Sequence, residues 1–588
     1  MKVALIGAEL EENLGIRYMA RSLEDRGHET EIIPFNSESD IHNVVRQVLA
    51  FSPEIAGLSM VFTNRGREFC HLAQALREDG YGGHLIAGGP FASFNCENLL
   101  LDFPSFNSIA LGEGERLICD LAYHLDDISK IPGLCYRGKN GTIKTNPSIG
   151  GPDNLDSLAF PKRISFHTYF DKKIASILTS RGCWRNCAFC SISAWYDRIG
   201  GKKFRFRSIP NIVAEMKELY EEHGVRIFNF QDDNFFLPDK DKALQHFKTL
   251  RKNLDKEGIK DIAIAIKARP DSITRESISV LNDLGLFRVF LGVENASENG
   301  LYHLNRKSTI DQALNALEIL NDFDVHIAYN LLMFEPDTVM EDILVNLRFI
   351  ERHIENPFNF CRAEAHAGTG LESKLKAEGK LLGNYFGLDY RLKDPSCEAF
   401  HQIANYGFFD RNFSDHGLHY FNMQVDFIFQ LLKRFYPELL TQSLRAVVRS
   451  FIKETNIDTY KSLCEIYDFI ESIDPNDQAA IQNFARQIRA VVDSRSMALH
   501  AHGESILNWL DNVYELRGLE RKKIIRQQRI FMGHSVMSST SLNNFDVPKD
   551  YAYTSSQNEV TDLFGLLRSP IPYQAFKMQL SRQSENRR

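Results

Sequence analysis

The sequence predicts an α/β protein in three parts: a doubly wound parallel sheet, a partial (β/α)6 barrel and a helical C-terminal region. Three observations carry this expectation. Short apolar runs alternate with amphipathic stretches twice, over about residues 1–130 and again over 171–370. Between them, at 131–170, the stretch YRGKNGTIKTNPSIGGPDN holds too little apolar material for a core and reads as a hairpin followed by a linker. Over 371–588 the pattern changes to long helical segments. In the first run the expected strands are 3–6, 29–33, 55–61, 85–87 and 108–111, and the expected helices 16–26, 41–50 and 67–79. In the second, strands at 175–178, 227–231, 263–267, 287–292, 325–333 and 360–364 alternate with helices such as 212–223, 273–284, 310–323 and 340–353. Six such repeats fall short of the eight of a closed barrel. C-terminal helices are expected at 427–436, 444–455, 459–473 and 477–500, capping the barrel mouth and selecting substrate, with a loose Ser/Asn-rich tail. No internal repeat is visible.

A chain of 588 residues is too long for one core. Its net charge of −8 argues against a general nucleic-acid binder. No run approaches the roughly 18 apolar residues of a membrane span, and MKVALIGAELEENLG matches neither a signal nor a transit peptide, so a cytoplasmic location is expected. Ten cysteines are too few and too scattered for a disulfide scaffold. Three of them, Cys183, Cys187 and Cys190, fall at the spacing C-x3-C-x2-C directly after the first strand of the second run. Three thiolates on one short loop suit three irons of a [4Fe–4S] cube with the fourth iron open. The plain alternatives are buried thiols or zinc, but structural zinc wants four ligands and no second pair is near.

This motif, with Phe189 as the aromatic before the last cysteine and Thr179-Ser180-Arg181-Gly182 before the first, resembles the signature of the radical S-adenosylmethionine (radical SAM) superfamily. The likeness extends over residues 174–370. It implies a cluster whose open iron is chelated by SAM, and a 5′-deoxyadenosyl radical that takes hydrogen from substrate. Asp232 and Asp233 stand where the family holds the methionine amino group, Arg269 where a SAM carboxylate would pair, and Glu294 where a ribose hydroxyl would bind. Two adjacent aspartates also invite a metal-site reading, which lacks other ligands. Phe334-Glu335-Pro336-Asp337-Thr338 and His366-Ala367-Gly368-Thr369-Gly370-Leu371 are similar to late segments of the superfamily's cobalamin-binding branch.

The N-terminal run lacks G-x-G-x-x-G, and Glu9, Glu11 and Glu12 stand where phosphates would sit. It instead resembles the Rossmann-like B12-binding domain. The carrying segments are Leu58-Ser59-Met60-Val61-Phe62-Thr63, the Gly88-Gly89 loop and Leu111-Gly112-Glu113-Gly114-Glu115. The resemblance assigns Ser59, Thr63, Gly88, Gly89, Gly112 and Glu113 to cobalamin, glycines letting backbone approach the flat corrin. One departure is clear. The family's D-x-H-x-x-G, source of cobalt's lower ligand, is absent, and Asp40-Ile41-His42 reads as a helix cap. Cobalamin is therefore expected to bind without a histidine ligand.

Together these resemblances imply a cobalamin-dependent radical SAM enzyme. The favoured reaction is methylation of an unactivated carbon, the substrate radical taking its methyl group from methylcobalamin. A non-methylating cyclisation, rearrangement or oxidation stays open, as does a non-catalytic cobalamin sensor. A methylthiotransferase is set aside because Cys70, Cys96, Cys119 and Cys135 are too dispersed for a second cluster. Expected partners are a small-molecule or peptide substrate and a flavodoxin- or ferredoxin-type reductant. Neither nucleic acid nor a membrane is expected. His416 and His419 offer acid–base groups without identified partners. The basic run 517–529 reads as a solvated helix face, and Cys361 and Cys397 have no assigned role.

Overall fold

The computed structural model of the chain describes residues 1–138, 140–414 and 417–515. The expected loose tail, the run 517–529 and His416 lie outside the described residues. Both α/β units appear as the alternation predicts. The first is a seven-stranded sheet of β1 (Lys2–Gly7), β2 (Glu29–Pro34), β3 (Ile55–Ser59), β4 (His84–Gly88), β5 (Ser108–Ala110), β6 (Leu134–Arg137) and β7 (Ile143–Thr145). Their order is β2-β1-β3-β4-β5-β6-β7, with β1 to β5 parallel and the β6–β7 hairpin antiparallel at the edge. Because side chains alternate across a strand, Val3 and Leu5 pack on one face with helices Leu14–Glu24 and Gly114–Tyr123. Ala4 and Ile6 pack on the other with Ile41–Phe51 and Gly66–Glu78. The chain order reverses at β1 and β3, which opens a crevice outside their carboxyl ends.

The second unit runs β8 (His167–Tyr169), β9 (Lys172–Ile177), a ribbon of β10 (Ser180–Arg181) and β11 (Arg205–Phe206), then β12 (Val225–Phe230), β13 (Ala263–Ala268), β14 (Leu286–Glu294), β15 (His326–Phe334) and β16 (Phe358–Arg362). The sheet order is β16-β15-β14-β13-β12-β9-β8: six parallel strands with antiparallel β8 beside β9. This is the partial barrel expected. One outer helix, Lys240–Lys256, was not foreseen; its sequence is mostly polar or charged and only Ala243, Phe247, Leu250 and Leu254 form a buried stripe.

Three expectations for the C-terminal region are corrected. Segments 444–455 and 459–473 are one helix, Gln442–Glu471. Asn456 and Asp458 look like a break, but Asn456 donates to the carbonyls of Ile354 (2.7 Å) and Asn356 (2.9 Å), and Asp458 pairs with Arg411 at 2.7 Å. Distant partners thus satisfy side chains that would otherwise compete with the helix backbone. The final helix reaches from Gln478 to Glu515, and helix Pro395–Phe413 was missed because it is buried on most sides and shows little amphipathic contrast. Among the described residues these helices do not line the barrel mouth. Pro395–Phe413 lies along β16, where Phe408 meets Phe360 and Asn412 donates to its carbonyl. Helix Leu418–Phe435 crosses the amino-terminal ends of the strands, packing on Tyr169, Ile227, Ala263 and Phe287. His326 meets Asp426 at 2.8 Å there, and Arg434 donates to the Ile262 carbonyl at 2.8 Å. Among the described residues of this region, the hairpin of β17 (Leu382–Asn384) and β18 (Gly387–Asp389) is what reaches the mouth, through Gly387 and Leu388. Among the described residues no helix is long and apolar enough to cross a membrane.

Candidate functional site

The carboxyl ends of the two sheets face each other and enclose two adjoining cavities. One, of about 330 Å³, lies in the crevice of the N-terminal sheet. The other, of about 400 Å³, fills the barrel mouth. Val61, Pro90 and Asp233 line both.

The cysteine loop enters the second cavity from β9. Asp232 fixes its start, accepting hydrogen bonds from the Thr179 amide (3.1 Å), the Thr179 hydroxyl (2.7 Å) and the Ser180 hydroxyl (2.5 Å). The Gly182 amide donates to Asp233 at 3.1 Å. Gly182 has φ +81°, and a Cβ there would stand 1.8 Å from the Lys203 carbonyl oxygen, so glycine is required. Farther on, the Ala188 amide donates to the Leu304 carbonyl (2.9 Å) and the Leu371 amide to the Ala188 carbonyl (2.8 Å). Cys183, Cys187 and Cys190 all line the cavity. Burial pushes the Cys190 thiol up to about 12 and raises that of Cys183. Holding these sulfurs as anions in such a wall calls for a metal cation.

Phe189, Thr63, Arg269 and Glu294 share this cavity, and Asp233 belongs to both. Asp232 lines neither; its carboxylate is spent on the loop. Glu294 has φ +68°, a left-handed backbone costing about 1–3 kcal/mol in a non-glycine residue, where the pairing of β14 with β15 slips. Burial raises its carboxyl above the usual range. Ser59, Gly88, Gly89, Gly112 and Glu113 line the first cavity.

The acids of the N-terminal loops turn out to join the two units. Glu12 takes Arg17 (3.2 Å), Arg163 (2.9 Å) and the Ser176 amide (2.5 Å), and Glu11 takes Gln231 (3.1 Å). Arg163 continues to Glu215 (2.7 Å), which also holds Arg207 (2.5 Å). Glu113 and Glu115 pair with Arg181 at 3.0 and 2.6 Å, and Glu113 also with Arg205. Asp40 accepts from the amides of Asn36 and Ser37 in the turn before it and makes no side-chain cap to helix Ile41–Phe51, contrary to expectation, and His42 is exposed outside both cavities. His419, Cys361 and Cys397 are buried away from both cavities. Sequence reasoning missed Arg181, Arg205, Arg306, Trp195 and Asn330 as site residues. Arg181 and Trp195 flank the cysteines and so were within reach of inspection; no local pattern marks the others.

Two family models match this chain: the B12 binding domain over residues 6–122 and the Radical SAM superfamily over 177–350. The chain thus carries a segment that matches the B12 binding domain followed by one that matches the Radical SAM superfamily. An uncharacterized methyltransferase of Pyrococcus horikoshii is 25% identical over 63% of this chain and 79% of its own length. An anaerobic magnesium-protoporphyrin IX monomethyl ester cyclase of Synechocystis is 26% identical over 53% of this chain, which spans 62% of that relative. The cobalamin-dependent SAM radical enzyme OxsB, solved with aqua-cobalamin, shares the fold with a TM-score of 0.61 and 15% identity over 90% of this chain and 82% of its own.

The residues present suit the cofactors of these two domains, cobalamin and a [4Fe–4S] cluster with SAM. The cavity of the N-terminal sheet is an apolar slot bordered by Leu5, Ile86 and Leu117. A Cβ at Gly57 would approach Leu5 to 3.3 Å, and one at Gly88 would approach Ala110 to 3.3 Å, so the slot depends on bare backbone. The buried indole N–H of Trp195, which lines it, has no partner within the protein and is available to a ligand acceptor. Among the described residues no histidine lines this cavity, and Glu12 stands at the histidine position of D-x-H-x-x-G. Gly57→Val should fill the slot while suiting a strand. The expected result is cobalamin affinity lowered at least tenfold with iron content unchanged, read by equilibrium dialysis and iron assay; unaltered affinity would place cobalamin elsewhere.

Proposed function

We propose that the chain is a cobalamin-dependent radical SAM methyltransferase acting on an unactivated carbon of a small molecule or peptide, with electrons from a flavodoxin- or ferredoxin-type protein. The observation that carries this reading is the shared wall: Val61, Pro90 and Asp233 border both cavities, so a methyl source and a radical source would sit within reach of one substrate. When bound, the cluster with SAM supplies a hydrogen-abstracting radical and cobalamin a transferable methyl group.

The chain's own residues supply placement and exclusion of water. Cys183, Cys187 and Cys190 would hold the cluster, and Asp232 fixes the loop that presents them. Glu294 and Asp233 face the cavity where SAM would lie. Burial raises both carboxyls, so each reaches a hydrogen-bond partner only when that partner repays the desolvation. His366 lines the same cavity, and burial lowers its imidazole to about 4, which keeps it neutral at physiological pH and makes it a hydrogen-bond partner rather than a base. Phe62, Phe94, Phe290 and Leu388 give the remaining wall an apolar character suited to an uncharged carbon centre.

Methyl transfer is favoured over ring closure because the methyltransferase relative is matched over more of both chains than the cyclase. Anaerobic reconstitution with iron, sulfide, hydroxocobalamin, methyl-labelled SAM and a low-potential reductant such as titanium(III) citrate tests the choice. Label is expected in the corrin recovered from the protein, together with 5′-deoxyadenosine. Deoxyadenosine without corrin label would favour cyclisation, rearrangement or oxidation. Neither product would favour a sensor.

A further inference from the structure

Two arginines converge on one of the three cysteines. Arg306 Nη1 lies 3.3 Å from Cys187 Sγ and Arg269 Nη1 lies 3.6 Å from it. Both side chains are 6% exposed and neither is free to swing. Arg269 holds Asp271 through Nε (2.9 Å), and its Nη2 donates to the Arg306 carbonyl at 2.6 Å. Arg306 Nη2 donates to the Gly292 carbonyl, and Glu294 lies 3.7 Å away. Asp271 is further tied to Arg185 at 2.6 Å. The other two sulfurs meet backbone amides instead: Cys183 that of Arg185, Cys190 those of Ile192 and Ser193. One corner of the loop therefore carries charged donors and the other two carry neutral ones.

A buried guanidinium is costly unless its donors find strong acceptors. Here Asp271 and the Arg306 carbonyl take the Nε and Nη2 donors of Arg269, the Gly292 carbonyl takes Nη2 of Arg306, whose Nε has no partner within the protein, and Nη1 of each arginine is aimed at the same sulfur. A charge-assisted hydrogen bond to a cluster sulfur withdraws electron density and favours the state with one more electron. We propose that Arg306, backed by Arg269, is a positioning residue that donates to the sulfur of Cys187 and raises the reduction potential of the cluster. This rests on Cys183, Cys187 and Cys190 carrying that cluster. It also gives the segment 304–306 a second task, since Leu304 already accepts from the cysteine loop.

The test compares the anaerobically reconstituted full chain with Arg306→Gln, Arg306→Lys and Arg269→Lys, reading the midpoint potential by redox titration followed by electron paramagnetic resonance, before and after adding SAM. Arg306→Gln is expected to lower the midpoint without SAM, Arg306→Lys to lower it less, and iron content to stay constant. An unchanged midpoint in Arg306→Gln overturns the proposal; if SAM then perturbs the signal only at tenfold higher concentration, Arg306 serves the SAM carboxylate instead. Should Arg306→Gln assemble no cluster, the lysine variants decide: a midpoint below wild type supports the proposal and an equal one overturns it. A wild-type protein whose signal ignores SAM would refute the cluster reading itself, whatever the variants do.

Discussion

Replacing Cys187 with alanine is expected to abolish the bound iron and all SAM cleavage while leaving the apo fold intact. The first half follows from ligand count. Three thiolates on a short loop hold a cube with one open iron, and two do not hold it durably. The second half follows from how the loop is pinned. Its ends are fixed by Thr179 and Ser180 on Asp232, by Gly182 on Asp233 and by Ala188 on Leu304 and Leu371, none of which involves the sulfur. Losing one small side chain from the wall should cost about 1 kcal/mol. Iron and sulfide assays, deoxyadenosine yield and thermal unfolding of the apo protein check both halves. Retained iron with retained cleavage would place the cluster on other residues.

Glu215→Ala is expected to produce the largest loss of stability among these variants, about 3–5 kcal/mol. The carboxylate is buried between Arg163 (2.7 Å) and Arg207 (2.5 Å), both about 4% exposed, and the alanine would leave the buried Arg207 without its carboxylate partner and Arg163 with Glu12 alone. Arg163 also carries the link to Glu12, so the damage should reach the seam between the two α/β units. Because a protein of several units does not unfold in one step, denaturation should show an early transition ahead of the main one, with cobalamin affinity lost in parallel. A shift under about 1 kcal/mol would mean that water reaches these arginines once the glutamate is gone.

Much of the architecture was legible because its signals are local. The six βα repeats show as apolar runs spaced by amphipathic stretches, and the cysteine motif is confined to eight residues after one strand. What could not be read depends on partners far along the chain. Glu113 and Glu115 looked like part of a cofactor loop, yet their carboxylates meet Arg181 and Arg205, some 66 to 92 residues on. The acids at Glu11 and Glu12 read only as unfavourable to a phosphate, and their contacts with Gln231, Arg163 and Ser176 needed the second unit in place. Asn456 and Asp458 resembled a helix stop for the same reason. The placement of helix Leu418–Phe435 under the barrel rests on apolar contacts with residues at strand starts, which no window of sequence contains.

The partition formed by Val61, Pro90 and Asp233 belongs equally to two chambers, so neither can be vented alone. Any breathing that parts the salt-bridged seam would admit water and dioxygen to both at once. That seam is set by Glu12, Glu113 and Glu115 with Arg163, Arg181 and Arg205, so loosening any of these pairs acts on both chambers together.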